Sequence, residues 1–193
     1  MTDEKPVRSF LALDPPPELL ENISGIQGRL KRILHGDIRW TNPAGIHLTL
    51  KFFGDISGSE VAAISRTVAA ITDQTAPFDL EARDLGVLPS EKRARIIWLG
   101  MTGNVAALMR LQKETDEALT ACGFGKEERS FKPHLTLGRI KSSLGAGDLD
   151  VLKEHRDDYV AGSFTANGLS LFKSDLTPRG AVYTEMARFP FGG

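Results

Sequence analysis

The chain of 193 residues has little of several features that would point to a secreted or membrane protein. Its single cysteine, Cys122, cannot form an internal disulfide, which fits a reducing compartment. No apolar run approaches the ~18 residues that a membrane-spanning helix needs. The N-terminus also lacks a basic stretch followed by an apolar one, so no secretory signal is expected. We therefore expect a cytoplasmic protein without a membrane partner.

Strong charge of either sign is missing too, because the formal net charge is −1. A protein that coats long nucleic acids usually needs a strongly basic face, so this balance argues against one. It leaves room for a local basic patch that binds one phosphate or one RNA end. With 41% hydrophobic and 25% charged residues the composition is that of an ordinary globular protein. We expect a monomer with a single two-lobed domain over residues 1–193.

Hydrophobic periodicity predicts the element order β-α-β-α-β-β, followed by α-β-α-β-β. The first two helices follow the triple proline 15–17 and Ser57 or Ser59, the serines being candidate N-caps. The stretch "IRWTNPAGIHLTLKFFG" is expected to form an extended approach, a turn at 42–45 and a strand that ends at Gly54. The segment that begins at Ser163 closes the chain as two strands around a turn at 177–180.

Two of only four histidines stand in identical tetrapeptides, "HLTL" at 47–50 and again at 134–137. Both tetrapeptides are typical of β-strands, in which alternate side chains share a face. His47 and Thr49 then lie side by side, as do His134 and Thr136, while the leucines bury behind them. One histidine at the start of a strand is usually an ordinary polar residue. Two histidines in identical tetrapeptides favour a shared site.

A weak internal repeat supports the same conclusion. The second motif histidine follows the first by 87 residues, Ser174 follows Ser90 by 84, and Tyr183 follows Trp98 by 85. This recurrence predicts two similar halves, each of which contributes one "HLTL" strand. We expect an α+β fold in which two antiparallel sheets with outer helices face each other across a central cleft.

Metal and nucleophile chemistry are poorly supported by the motifs. Zinc sites usually take three or four His, Cys or carboxylate ligands, and neither tetrapeptide contains a cysteine or an acidic residue. We therefore expect no metal and no cofactor. A serine or cysteine hydrolase is also disfavoured, because "GxSxG" is absent and Cys122 lies in no activating pattern.

Paired general acid and base catalysis on a phosphodiester fits the two motifs better. The reference pKa of histidine, about 6.5, allows one imidazole to be neutral while the other is protonated near neutral pH. The neutral ring can take a proton from water as the water attacks phosphorus, and the protonated ring can give one to the leaving oxygen. The threonine hydroxyls can donate hydrogen bonds to the phosphoryl oxygens. Spacing alone leaves the two histidines interchangeable.

Five stretches in order, over nearly the whole chain, resemble the two-histidine phosphoesterase superfamily: "RSFLALD", "HLTLKFFG", "RIIWLG", "FKPHLTLGR" and "LFKSDLTPRGAVYTEMARF". The closer resemblance is to its bacterial and archaeal RNA 2′,3′-cyclic phosphodiesterase branch, also called 2′-5′ RNA ligase. The resemblance implies a bilobal α+β fold with pseudo-twofold symmetry and no metal requirement. It also implies hydrolysis of a terminal RNA 2′,3′-cyclic phosphate to a 2′-phosphomonoester, with reversible 2′-5′ ligation left open.

The resemblance also implies roles for individual residues. His47 would donate a proton to the departing 3′ oxygen and His134 would accept one from water. Thr49, Thr136 and Arg139 would bind the phosphate.

Four further residues are weaker candidates for substrate binding. Phe52, five residues after the first motif histidine, matches a family aromatic near the substrate base. Lys132 would add positive charge to the cleft. Trp40 and Phe10 are candidates for a base-stacking platform, with core or hinge packing as the alternative.

Strict alternation conflicts with two of these assignments. It places Phe52 and Arg139 on the face away from the histidines, and Lys51 on the histidine face. The conflict is resolved only if the strand twists or bulges near Gly138, or if the side chains reach around the strand end. Solvent exposure for Arg139 and core packing for Phe52 are the alternatives.

Two other functions stay open. One is a phosphodiesterase that acts on a small cyclic phosphate, such as ADP-ribose 1″,2″-cyclic phosphate. The other is a module that binds RNA ends without catalysis. Retention of matched acid–base histidines in both halves argues against the second.

Overall fold

The computed structural model describes residues 5–178 and 180–193, in which there are nine strands and four α-helices. The strands are β1 (Val7–Leu13), β2 (Ile38–Trp40), β3 (Leu48–Ile56), β4 (Phe78–Leu88), β5 (Ile96–Gly103), β6 (His134–Ile140), β7 (Val160–Ala166), β8 (Gly168–Thr177) and β9 (Gly180–Pro190). The helices are α1 (Pro17–Ile33), α2 (Gly58–Thr72), α3 (Val105–Ala121) and α4 (Ala146–Glu154). None of these helices is long and apolar enough to cross a membrane.

The described strands form two sheets, one for each histidine motif. The first sheet has the order β3-β1-β8-β9 and the second has the order β2-β6-β5-β4-β7. Every paired strand is antiparallel to its neighbour. The predicted α+β fold with two antiparallel sheets and outer helices is therefore confirmed. That residues 1–193 act as one domain stays a prediction.

Helices α1 and α3 each pack against the sheet that the preceding strand does not belong to. Helix α1 follows β1 of the first sheet but packs against β7 of the second, where α4 also packs against β4. Helix α3 follows β5 of the second sheet but packs against β3 of the first, beside α2. Each half of the chain therefore supplies a helix to the sheet that carries the other half's motif.

Local sequence explains the helix boundaries. Ser57 caps α2 in a capping box, because its hydroxyl accepts from the Glu60 amide while the Glu60 carboxylate accepts from the Ser57 amide. The expected cap at this position is thus Ser57 rather than Ser59. Asn104 caps α3 by accepting from the Ala107 amide. These caps satisfy donors that a helix N-terminus leaves unpaired, so the helices begin at defined residues.

The motif leucines bury as the alternation predicts. Leu48, Leu50, Leu135 and Leu137 are at most 3% exposed and belong to the main hydrophobic core. Each such side chain contributes about 1.5–3 kcal/mol by burial, which holds the register of the motif strands.

The end of the chain differs from the prediction of two strands. Three strands, β7 to β9, occupy this region, and Asn167 alone separates β7 from β8. Strand β7 pairs with β4 in the second sheet whereas β8 pairs with β1 in the first. A one-residue break leaves no signal in hydrophobic periodicity, so the two strands were expected to be one. The expected turn at 177–180 includes Arg179, which lies outside the described residues.

Candidate active site

The two motif histidines are held by the same backbone contact. His47 Nδ1 lies 2.9 Å from the carbonyl oxygen of Gly45, and His134 Nδ1 lies 2.6 Å from that of Lys132. Each carbonyl belongs to the residue two positions before the histidine. Because a carbonyl oxygen only accepts hydrogen bonds, Nδ1 carries the hydrogen in each ring. Nε2 is thereby the atom left to exchange protons in both histidines.

Aromatic rings pack more closely around His47 than around His134. The His47 ring stacks on Phe10 with ring centroids 4.4 Å apart, and Tyr183 meets it edge-on at 5.0 Å. His134 has an edge contact with Trp98 at 6.1 Å. The two tetrapeptides are identical in sequence, yet they place their imidazoles in different surroundings.

The surroundings of His47 lower its pKa from 6.5 to about 4. Burial is the main cause, because the charged imidazolium loses its hydration. The hydrogen bond to Gly45 opposes this effect, while the positive charges of Arg139 and His134 lower the pKa further. His47 is therefore neutral near pH 7 in the protein by itself. The mutual effect of these charges also indicates that both histidines and Arg139 share one cleft.

The motif threonines place their hydroxyls beside the histidines. Thr49 and Thr136 are both half-buried, and each lies two residues after its histidine on the same strand face. In the described part of the chain neither hydroxyl has a hydrogen-bond partner within the protein. Two hydroxyl donors are thus available to a molecule in the cleft.

A β-bulge follows each motif threonine. In the first sheet Leu11 pairs with Lys51 and Ala12 with Thr49, so that Leu50 is the extra residue. In the second sheet the partners of Ile97 and Trp98 are Gly138 and Thr136, which makes Leu137 the extra residue.

Each bulge reverses the alternation that follows it. Leu137 and Gly138 are both buried and Arg139 is exposed on the histidine face, while Phe52 is 61% exposed beside Phe10 with their ring centroids 5.8 Å apart. Strict alternation, which put Phe52 and Arg139 on the far face, is therefore wrong beyond the tetrapeptides. The two residues occupy equivalent places, five positions after their respective histidines.

The same bulge corrects the expected place of Lys51. Lys51 is 3% exposed and faces the core instead of the histidine face. Its Nζ donates to the Asp116 carboxylate of α3 at 2.5 Å and to the Gly125 carbonyl at 2.6 Å. A buried ammonium requires such partners, so Lys51 ties β3 to α3 and to the loop that leads toward β6.

Two buried glutamines satisfy the carbonyls of the bulged residues. Gln27 of α1 donates from Nε2 to the Leu137 carbonyl at 2.8 Å and to the Thr41 carbonyl at 2.8 Å. Gln112 of α3 donates to the Leu50 carbonyl at 3.5 Å. The two glutamines are 85 residues apart (112 less 27), within the spacing of the internal repeat. A glutamine on the apolar face of each helix was a signal that the sequence analysis missed.

The structure contradicts the stacking platform considered for Phe10 and Trp40. Phe10 is 2% exposed beneath His47, so no free ring face remains for a base. Trp40 packs on the core side of β2, where Lys31 Nζ lies 5.7 Å from the centre of its ring. Packing, the alternative considered for both, is what the structure contains.

Lys132 lies next to His134, and that its charge serves the cleft stays a prediction. Its carbonyl holds His134, and its side chain borders a cavity of about 330 Å³ that also includes His134, Asp84 and Arg156. Trp98 forms another part of this wall. The repeat partners Trp98 and Tyr183 thus each contact one motif histidine, a role that their spacing did not reveal.

The groups in the cleft suit an anion that undergoes proton transfer on two sides. Two Nε2 atoms, the hydroxyls of Thr49 and Thr136 and the guanidinium of Arg139 belong to this face. Within residues 5–178 and 180–193, no three His, Cys, Asp or Glu side chains are grouped so that they could hold a metal ion.

Curated relatives and solved structures resemble the chain over nearly its whole length. An RNA 2′,3′-cyclic phosphodiesterase of Methanothermobacter thermautotrophicus is 34% identical, over 95% of this chain and 98% of the relative. One of Aquifex aeolicus is 30% identical, over 98% of this chain and all of the relative. The crystal structure of E. coli LigT with 3′-AMP superposes with a TM-score of 0.79 at 25% identity, over 97% and 99% of the two chains.

The model of the LigT-like phosphoesterase family matches the chain twice in succession. The first match covers residues 13–98 and the second covers residues 99–183. Each match contains one "HLTL" motif, which agrees with the repeat found in the sequence. Since the two matches span most of the 193 residues, the chain belongs to the LigT-like phosphoesterase family of enzymes.

Proposed function

We propose that the protein hydrolyses the 2′,3′-cyclic phosphate at the end of an RNA and leaves a 2′-phosphomonoester. The observation that carries this proposal is the paired histidine geometry. In each half an imidazole is held through Nδ1 by a backbone carbonyl, and Nε2 lies beside a threonine hydroxyl that has no partner among residues 5–178 and 180–193. The names of the curated relatives support RNA 2′,3′-cyclic phosphate as the substrate.

In the proposed reaction His134 acts as general base and His47 as general acid. His134 Nε2 takes a proton from water while the water oxygen bonds to phosphorus. The bond between phosphorus and the 3′ oxygen breaks, and His47 Nε2 gives its proton to that oxygen. One water is consumed, the 3′ hydroxyl is freed and the phosphate stays on the 2′ oxygen. If a 5′ hydroxyl of another RNA took the place of water, the same groups would form a 2′-5′ linkage: the bond to the 3′ oxygen breaks, His134 takes the proton of the 5′ hydroxyl and His47 gives one to the 3′ oxygen.

Thr49, Thr136 and Arg139 would stabilise the phosphate during this reaction. The negative charge on the phosphoryl oxygens must be balanced as bonds form and break. Hydroxyl donors from both halves approach from two directions, and the Arg139 guanidinium offers charge-assisted hydrogen bonds. Phe52, as the exposed aromatic of the cleft, is the candidate surface for the terminal base.

The low pKa of His47 requires the substrate to help protonate it. With a pKa of about 4, protonation at pH 7 costs about 4 kcal/mol in the protein by itself. A bound phosphate brings negative charge next to the ring and offsets the positive charge of Arg139, so it raises the pKa. Binding of the anion thus makes the protonated form of His47 accessible near pH 7, and that form can give its proton to the leaving oxygen.

The central test is hydrolysis of a short RNA that ends in a 2′,3′-cyclic phosphate, with identification of the hydroxyl that keeps the phosphate. We expect His47→Ala and His134→Ala each to lower kcat/KM by about 10²-fold or more. His35→Ala, at an exposed histidine whose amide binds Asp148, is the matched control. EDTA should leave the rate unchanged.

A sulfur substitution separates the two roles. A thiolate leaves without much help from an acid, so sulfur in place of the 3′ oxygen should restore activity to His47→Ala and not to His134→Ala. Restored activity in His134→Ala and not in His47→Ala would instead make His134 the acid and His47 the base. Full activity of either alanine variant on the ordinary RNA would refute the proposal. Binding of the RNA without turnover would indicate an RNA-end binding module. A higher rate on ADP-ribose 1″,2″-cyclic phosphate would identify that small molecule as the better substrate.

A further inference from the structure

Arg39, on strand β2, lies directly opposite Arg139 on β6. Directly opposed residues in antiparallel strands share a face, and their Cα atoms are about 4.5–5.5 Å apart. Since Arg139 lies on the histidine face, Arg39 lies on that face as well. The cleft therefore has a second arginine that no motif indicated.

The residues beside Arg39 fix this orientation independently. A Cβ atom built on Gly138 would lie 2.8 Å from Ile38 Cγ2 and 3.3 Å from the ring of Trp40. Ile38 and Trp40 therefore both pack on the core side of β6, against a position that only glycine leaves open. Alternation along β2 then turns the side chain between them, that of Arg39, toward the cleft.

Within the described residues no carboxylate balances the charge of this arginine pair. In the described ranges neither guanidinium forms an ion pair with a carboxylate. Asp37, two residues before Arg39, instead has its Oδ1 atom 3.8 Å from the Nζ atom of Lys141. Like charges placed opposite each other across two strands destabilise a sheet, so the pair suits an anion that comes from outside.

The Arg39 guanidinium also reaches the other sheet. A Cβ atom built on Gly180, at the start of β9, would lie 2.9 Å from Arg39 Nη2. Strand β2 belongs to the second sheet and β9 to the first. The guanidinium therefore lies where the two sheets approach each other, at the edge of the cleft that contains the histidines.

We propose that Arg39 forms a second phosphate subsite, which holds the phosphate on the 5′ side of the terminal nucleotide of the RNA. This inference rests on the proposed function, in which Arg139 contacts the cyclic phosphate. The next phosphate along the chain is one nucleoside away, and the neighbouring arginine is the cation placed to receive it. A planar guanidinium binds phosphate oxygens through two parallel hydrogen bonds. The subsite makes the enzyme prefer the end of a chain to an isolated cyclic nucleoside phosphate.

The test compares two small substrates that differ by one phosphate. One is a nucleoside 2′,3′-cyclic phosphate with a free 5′ hydroxyl, and the other is the same molecule with a 5′ phosphate. The quantity measured is the ratio of the two kcat/KM values in the wild type, Arg39→Gln, Arg39→Lys and Arg110→Gln. Arg110, an exposed arginine on α3, is the matched control for loss of one positive charge.

We expect the wild type to favour the 5′-phosphorylated substrate by about 10-fold or more, and Arg39→Gln to abolish that preference. Arg39→Lys should keep part of it, and Arg110→Gln should keep all of it. With a longer RNA, Arg39→Gln should reduce the salt dependence of kcat/KM by about 0.7 in log–log slope.

Two results would overturn the subsite. One is a preference for the 5′ phosphate that Arg39→Gln leaves intact, and the other is an equal loss on both substrates, which would assign Arg39 to the cyclic phosphate itself. Hydrolysis of neither substrate by the wild type would instead refute the proposed function on which the inference rests.

Discussion

His47 should cause the folded protein to lose stability as the pH falls from 7.5 to 4.5. Burial lowers the pKa of His47 from 6.5 to about 4 in the folded state, whereas the unfolded chain keeps the ordinary value. Between these values the unfolded state binds a proton that the folded state does not, so the free energy of unfolding rises with pH. The loss of folding stability caused by His47 is therefore nearly absent above pH 6.5, grows as the pH falls, and reaches its full size below pH 4.

The size of the effect follows from the shift of the pKa. The full difference between 6.5 and about 4 corresponds to about 3.4 kcal/mol. At pH 4.5 linkage gives about 2.5 kcal/mol of lost stability, against about 0.1 kcal/mol at pH 7.5. Since globular proteins are stable by only about 5–15 kcal/mol, the loss should be easy to measure.

Urea unfolding of the wild type and of His47→Gln at the two pH values measures this contribution. The variant also loses the ring contacts with Phe10 and Tyr183, but that loss is common to both pH values. Carboxylates such as Asp14, whose pKa burial raises, titrate in both proteins and cancel in the comparison. We expect the wild type to lose about 2.5 kcal/mol more than the variant between pH 7.5 and 4.5.

A difference below about 0.5 kcal/mol would refute the reasoning, because it would mean that the folded protein binds a proton at His47 as readily as the unfolded chain does. His35→Gln, which removes a histidine that is 87% exposed, is the matched control for loss of one imidazole.

Two further predictions concern the support of the site. Gln27→Met leaves the Leu137 carbonyl without its donor, so we expect the free energy of unfolding in urea to fall by about 1–3 kcal/mol and kcat/KM to fall as well. Gln112→Met removes a longer hydrogen bond and should lower the free energy of unfolding by less. Equal losses in the two variants would contradict the argument. Gly86→Ala introduces a Cβ atom that overlaps the Trp98 ring, so the ring must move. We expect a loss of about 1–3 kcal/mol in urea unfolding and a changed tryptophan emission, and an unchanged spectrum would contradict the contact.

Sequence patterns predicted the motif faces but failed one residue beyond them. Alternation placed His47 and Thr49 together because the tetrapeptide ends just where the bulge begins. The bulge at Leu50 depends on a hydrogen-bond donor from α3, and no pattern within the strand reveals such a distant partner. Alternation alone therefore could not predict the face of Phe52, whereas the resemblance to the family did place it near the substrate base.

The different surroundings of the two histidines could not be predicted from local sequence for a related reason. His47 and His134 begin identical tetrapeptides, and the alternation rule treats the two tetrapeptides alike. Their surroundings differ because strands from distant segments bring Phe10 and Tyr183 to one ring and Trp98 to the other. Only the resemblance to a known family predicted an asymmetric division of labour.

The exchange of helices connects the two halves of the site. Gln27 comes from the half that contains the first motif, yet it holds the bulge at Leu137 in the second motif; Gln112 does the reverse for Leu50. Each half therefore supplies the hydrogen bond that sets the strand geometry of the other half. Because the bulge turns Arg139 toward the cleft, a change in α1 should affect phosphate binding by the opposite motif more than it affects its own. A half of the chain folded by itself would have an "HLTL" strand whose bulged carbonyl has no partner, so both halves are needed to orient either set of side chains.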